Sequence, residues 1–196
     1  HFTEAPCVLL ATVGPGVANA VNAIVNAYQD QVPLIYLTGC VDADVAQTYT
    51  HQVFDHCELL KSVTKATFTM ADGAIDVIID KAVAISMDGK PGPVHIDVPI
   101  SLATKEQNIP APVRRVTPAI SGPVEGPELV AARTALEKAK RPLMIAGVEV
   151  LHKRAAKDVS DFCRKFNIPL LTTYKAKGVL AEDDPLALGG VGLSPK

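Results

Sequence analysis

Apolar runs and helical periodicity alternate along the chain. Residues 7–12, CVLLAT, form an unbroken apolar run of the kind that suits a strand buried on both faces, and Gly14-Pro15-Gly16 follows at once. Past that turn, Val17, Val21, Ile24, Val25 and Tyr28 recur at helical spacing. At about 100° per residue they fall within an arc of roughly 100°, and Asn19, Asn22 and Asn26 share the opposite side. VPLIYLTG (residues 33–39 and their preceding valine) predicts a second buried strand, and VTKATFTM a third with alternating character. Between them lie a polar loop over 40–52 and a short helix near 53–61. Ile75, Ile78, Ile79, Ala82 and Ile85 predict a helix with Gly89 at its C-cap, and GPVHIDVP a strand ended by Pro99.

This alternation predicts an α/β chain of parallel sheets flanked by helices. From about residue 102 the pattern gives way to a linker with Pro110, Pro112, Pro118 and Pro123. A second alternating unit then opens: helix in PELVAARTALEKAKRP, strand in LMIAGVEV, helix in RAAKDVSDFCRKFN, strand in IPLLTTY. The expected divisions are 1–101, a linker over 102–122, and 123–196. The first strand arrives within six residues of His1, and LALGGVGLSPK reads as a glycine-rich turn with no closing element, so the chain is expected to be an internal piece.

Composition narrows the function. A 48% apolar share supplies a core, and 19 basic against 21 acidic residues, a net charge of −2, give no basic footprint for nucleic acid and no polybasic membrane patch. No run of 18 apolar residues predicts a membrane span. Cys7, Cys40, Cys57 and Cys163 lack C-x-x-C spacing and are expected to be reduced, mostly buried thiols of a cytoplasmic protein.

Gly14-Pro15-Gly16 at a strand-to-helix junction would offer unpaired backbone N–H groups to an anion or a polar ring, though spacing alone favours a plain structural turn. The dinucleotide fingerprint fails, because Asn19 stands where the third small residue belongs, and no Walker lysine follows. YTHQVFDH gathers His51, Gln52, Asp55 and His56; a metal site, a polar loop at a cleft and solvated surface all stay open. His95 and Asp97 share one strand face, where a satisfied core histidine is expected. The Lys175/Lys177 pair and GGVGL at 189–193 could approach a phosphate or be solvated loop. No nucleophile elbow or catalytic carboxylate pair can be placed.

Taken together, ATVGPGVANAVNAIVNAYQDQVPLIYLTG, HQVFD, GKPGPVHIDVP, RPLMIAGVEVL and DDPLALGGVGL resemble, in order and over almost the whole chain, the thiamine diphosphate-dependent decarboxylases and carboligases, the acetolactate synthase, pyruvate oxidase and benzoylformate decarboxylase group. The resemblance implies that 1–101 is the later part of a pyrimidine-binding domain and 123–196 the opening of a Rossmann-like central domain. It implies thiamine diphosphate and Mg²⁺ in the complete protein, a 2-keto acid substrate, and a site shared between subunits of a homodimer or homotetramer. Gly14, Pro15, Gly16 and Asn19 match the family's Gly-Pro-Gly-x-x-Asn, and Gln52 the glutamine of the synthases' Phe-Gln-Glu, as cofactor-binding candidates. His51, standing for the Phe, is a substrate-site candidate, and Val53 replaces the Glu. The family's catalytic glutamate belongs some twenty-odd residues before the turn, so no catalytic residue is assigned here and the isolated chain is expected to be inactive. The metal motif Gly-Asp-Gly…Asn does not occur either. AGVEV and YKAKG depart from the glycine-rich segments of FAD-binding members, which leaves FAD open. A non-catalytic nucleotide- or metabolite-binding module of two Rossmann-like units is the alternative.

Overall fold

The apolar runs of the first half become four parallel strands, β1 (Cys7–Ala11), β2 (Leu34–Cys40), β3 (Ala66–Thr69) and β4 (Pro93–Pro99), in the spatial order β1-β2-β4-β3. The computed structural model describes residues 5–106 and 122–192. The chain divides into two units, His1–Ile120 and Ser121–Lys196.

In the first unit the pleat sends alternate side chains of β2 to opposite faces, so one apolar run feeds two cores. Leu34 and Tyr36 join Val17, Ile24 and Leu60 from α1 (Pro15–Asn19), α2 (Val21–Gln29) and α3 (His56–Leu60). Ile35 joins Val94, Ile96, Met70 and Ala82, the last from α4 (Ile75–Met87). Tyr36, Ile24, Leu60 and Ile96 are fully buried, each worth about 1.5–3 kcal/mol relative to exposure. The short α5 (Ile100–Ala103) follows β4 directly and reaches into the expected linker, of which 107–121 lies outside the described residues.

The second unit builds a parallel sheet in the order β5-β6-β7 from β5 (Met144–Ala146), β6 (Leu170–Thr173) and β7 (Ala187–Val191). Its helices are α6 (Pro127–Lys138), α7 (Glu149–His152) and α8 (Ala156–Phe166), with a 3₁₀ turn at Tyr174–Ala176. Helix α8 ends at Asn167 in the left-handed conformation and sends Cys163 into the core beside Leu170, Ala176 and Leu180.

The α/β class with parallel sheets flanked by helices holds, and five local expectations are corrected. Among the described residues β1 lies at the sheet's edge, and Val8 and Leu10 on one of its faces are exposed, so the run is not covered on both faces. The helix after the turn is broken at Ala20, whose N–H bonds back to Val17 in a tightened turn. The expected strand at 143–150 is only three residues long, because the chain turns after Ala146 and α7 opens at Glu149. Residues 187–191 are not a turn: parallel pairing with β6 draws Gly189 and Gly190 into β7. Of the free cysteines only Cys163 is buried, Cys40 and Cys57 are half-buried at a cleft, and Cys7 is exposed on the edge strand.

Candidate functional site

Polar side chains cluster at the carboxyl end of the first sheet. Thr38 on β2 is level with Asp97 on β4, and Tyr36 is level with His95, so the register alone brings one threonine, one histidine and one carboxylate to the same edge. All are buried. A buried carboxylate has to be hydrogen-bonded to be tolerated. Thr38 donates its hydroxyl to Asp97 Oδ1 at 2.5 Å and accepts from His95 Nε2 at 2.7 Å; His56, the first residue of α3, brings Nδ1 to 2.8 Å from the same Oδ1. Burial would raise the Asp97 carboxyl, and the hydrogen bonds from His95, Thr38 and His56 outweigh it, holding the group below its ordinary value and ionised.

The other ring nitrogen of His56 faces the turn. Gly14 N–H lies 3.1 Å from His56 Nε2. A backbone N–H only donates, so Nε2 carries the lone pair and the proton sits on Nδ1, donated to Asp97. A continuous chain of hydrogen bonds thus links the Gly-Pro-Gly turn to β4. The Gly14 carbonyl is engaged too, accepting from Val17 and Ala18 at 2.9 and 3.2 Å to start α1, and the Tyr36 hydroxyl donates to the Val17 carbonyl at 3.1 Å.

This leaves the turn with fewer N–H groups to offer an anion. Gly14 N–H is taken by His56, and Pro15 has none. Gly14 is required here for steric reasons: at φ +67° any side chain would run into the Gln52 carbonyl, with Gln52 Cβ 2.8 Å away. Gln52 is itself in the left-handed region at φ 60°.

The structure therefore brings Gly14 and Gln52 together. Pro15 is exposed at the first helical position, Gly16 is half-buried against Thr12, and Asn19 and His51 are exposed. Asp55 caps α3, accepting from Glu58 N–H at 2.8 Å, so it serves a helix end. No group of three or more His, Cys, Asp or Glu able to hold a metal occurs among the described residues.

Beside this network a cavity of about 490 Å³ opens at the sheet's carboxyl edge, lined by Val13, Val53, Phe54, Cys40, His56 and Asp97 among others, with no lysine or arginine in its lining. Of the residues singled out from the sequence, Asp55, His56 and Asp97 line the cavity, and Val13 and Val53 are the chain neighbours of Gly14 and Gln52, which do not. The Cys40 thiol is pushed up to about 12 by burial and then by the carboxylates of Asp97 and Asp42; Cys57 is raised by burial and Asp97. Both line the cavity as protonated thiols of low nucleophilicity at neutral pH.

In the second unit, a cavity of about 370 Å³ is lined by Thr172, Lys177, Glu182, Gly189 and Gly190. Lys177 Nζ pairs with Glu182 at 2.7 Å, and Lys175 lies over the Tyr174 ring at 5.3 Å. Both lysines have a neighbour within the same loop region.

Sequence reasoning missed the partnership of His56, Thr38 and Asp97. The signal was there in part: Thr38, His95 and Asp97 interrupt otherwise apolar strands near their carboxyl ends, where open parallel sheets bind ligands.

Residues 1–59 match the family model described as the N-terminal TPP binding domain of thiamine pyrophosphate enzymes, and residues 129–196 the model of the central domain of the same enzymes. The chain is 32% identical over 194 residues to the "Probable acetolactate synthase large subunit" of Methanococcus aeolicus, covering 95% of this chain and 32% of that protein. It is 30% identical over 189 residues to acetolactate synthase isozyme 1 large subunit of Escherichia coli K12 (96% and 33%), and 27% identical over 193 residues to human 2-hydroxyacyl-CoA lyase 1 (96% and 33%). The chain spans about a third of the length of these relatives.

Proposed function

The chain belongs to the thiamine pyrophosphate enzyme family, and from that premise we propose that its first unit forms the wall that receives the aminopyrimidine ring of thiamine diphosphate, in an acetolactate synthase-like protein acting on 2-keto acids. Gly14, Pro15, Gly16, Asn19 and Gln52 would hold the ring, and His51 would face the substrate side. Residues 1–101 are read as the later part of the pyrimidine-binding domain and 123–196 as the start of the central domain. The complete protein is read as a cytoplasmic homodimer or homotetramer that also uses Mg²⁺; the exposed amide stripe of Asn19, Asn22 and Asn26, unusual for a solvated helix face, supports a subunit contact there. Among the described residues no helix is long and apolar enough to cross a membrane.

One observation carries this reading. The cleft beside the turn is lined partly by apolar groups and has no lysine or arginine, and its carboxylates, Asp55 and Asp97, are already engaged in hydrogen bonds. Such a surface suits a neutral aromatic ring. It does not suit a diphosphate with its metal, so no step through Mg²⁺ is assigned to these residues. No residue of the second unit's cleft is assigned to FAD.

Thiamine diphosphate, when bound, supplies an electron sink for a bond broken or formed beside a 2-keto carbonyl. The residues of this chain bind and orient: Gly14 lets the turn lie against Gln52, and the apolar lining excludes water.

Titration of the ¹⁵N-labelled chain with thiamine tests the reading. Thiamine is expected to shift the Gly14, Gly16 and Gln52 amides, with thiamine diphosphate binding no more than about threefold tighter, since no cation meets its charge. Tenfold tighter binding of the diphosphate, or shifts confined to the second unit, would overturn it. Neither ligand should support turnover of a 2-keto acid by this chain alone.

A further inference from the structure

The geometry points to His56 as a positioning residue: held as its Nδ1–H tautomer by Asp97, it fixes the Gly14 turn by accepting the Gly14 N–H at Nε2. This rests on the reading above for what the turn then holds, but the relay itself is a property of the folded chain.

The steps are independent. Gly14 cannot choose another conformation cheaply, because φ +67° and the closeness of Gln52 confine it. Its N–H points into the protein, at a ring that is 3% exposed. That ring is fixed from three sides: Asp97 Oδ1 at 2.8 Å from Nδ1, the Phe54 ring edge-on at 4.8 Å between centroids, and the α3 backbone, whose start is set by the Asp55 cap. Asp97 is in turn fixed by Thr38, and Thr38 by His95. Each member has one role open to it. The carboxylate only accepts, so Thr38 and His56 donate to it. His56 then has only a lone pair left for the turn. A histidine is suited to this place because it can donate to an anion on one edge and accept from a backbone amide on the other.

An amide side chain can reproduce either edge but not both, and this gives the test. In His56→Gln the longer side chain can bring an acceptor oxygen to the place of Nε2; in His56→Asn the shorter one can reach Asp97 and leaves Gly14 N–H without a partner. Residue-resolved amide exchange on the full chain is the readout. Gly14 is expected to exchange at least about fivefold faster in His56→Asn than in His56→Gln, the weight of one neutral hydrogen bond. Equal exchange of Gly14 in the two variants would overturn the proposal, since a merely structural histidine gives no reason for that order. Should either variant fail to fold, the unsubstituted chain suffices: a through-hydrogen-bond ¹⁵N–¹⁵N coupling between Gly14 N and His56 Nε2, with Nε2 showing the shift of an unprotonated ring nitrogen, is expected, and a protonated Nε2 overturns the assignment. Thiamine titrated into the same samples separates the two readings. If exchange follows the expected order but thiamine leaves Gly14 unmoved, the relay stands and the ring site falls. If thiamine moves Gly14 but exchange does not discriminate, the reverse holds.

Discussion

Each unit of the chain builds a small parallel sheet, buries a threonine on a strand, places a glycine at positive φ nearby and holds one aspartate below its ordinary value, yet only the first joins these parts into a site. Asp97 is buried and receives hydrogen bonds from Thr38 on β2 and His56 on α3, with His95 Nε2 of its own strand 3.5 Å away. Asp184, its side chain mostly covered, is held down chiefly by the Leu186 backbone N–H, with the exposed Arg164 at 3.0 Å as further support. Gly14 packs on Gln52, whereas Gly189 at φ 91° has nothing near the position of a side chain. The same ingredients give a connected network where the aspartate's partners are themselves buried and come from distant elements, and local capping where they are a backbone N–H two residues on and an exposed arginine.

The largest blow to this contrast is Asp97→Leu. It leaves His56 and Thr38 buried without an acceptor and is expected to cost about 3–5 kcal/mol in urea unfolding. Asp184→Asn should weaken only the second unit, with a loss that shrinks in 1 M salt because the Arg164 pair is screened. Acid titration separates the same groups without mutation. A carboxyl depressed in the folded state stabilises fully above its unfolded value, here 3.8, and that contribution is lost as pH falls below it. The first unit should therefore loosen below about pH 3.8 independently of added salt, as read by residue-resolved amide exchange.

Gly14→Ala comes next. Left-handed backbone and collision with Gln52 together are expected to cost about 2–4 kcal/mol, against about 1–2 for Gly189→Ala, where only the backbone term applies. Thr38→Val should cost about 1–3 kcal/mol by removing a donor to Asp97 and an acceptor for His95. Smallest is Glu182→Gln, which breaks the exposed pair with Lys177 and should change stability by less than about 0.5 kcal/mol. An effect of Glu182→Gln as large as that of Thr38→Val would erase the distinction between the two sheets.

The elements were legible wherever one residue's neighbours along the chain decide its state. β2, β4, α4 and α8 each announce themselves by an apolar run or a helical stripe. β7 was misread because Gly189 and Gly190 carry a turn's local preference, and only pairing with β6 makes them strand. β1 was misread for the complementary reason: an apolar run says nothing of whether a neighbour covers it. Gly14, Gln52, His56 and Asp97 could each be singled out from the sequence. Their connection could not, since His56 meets Asp97 and Gly14 across 41 and 42 positions, and what the Gly14 N–H does is decided by a ring far along the chain.

The strand order β1-β2-β4-β3 sets a timetable for synthesis. β4 is the last strand of its sheet to leave the ribosome and the one that must insert between two already made. Until it does, β2 and β3 both present open edges, and Thr38 and His56 have no carboxylate to receive their protons. The turn at Gly14, translated before β2, β3 and β4, is therefore locked only after all three, and pulse-labelled nascent chains should show it protected only once β4 has emerged.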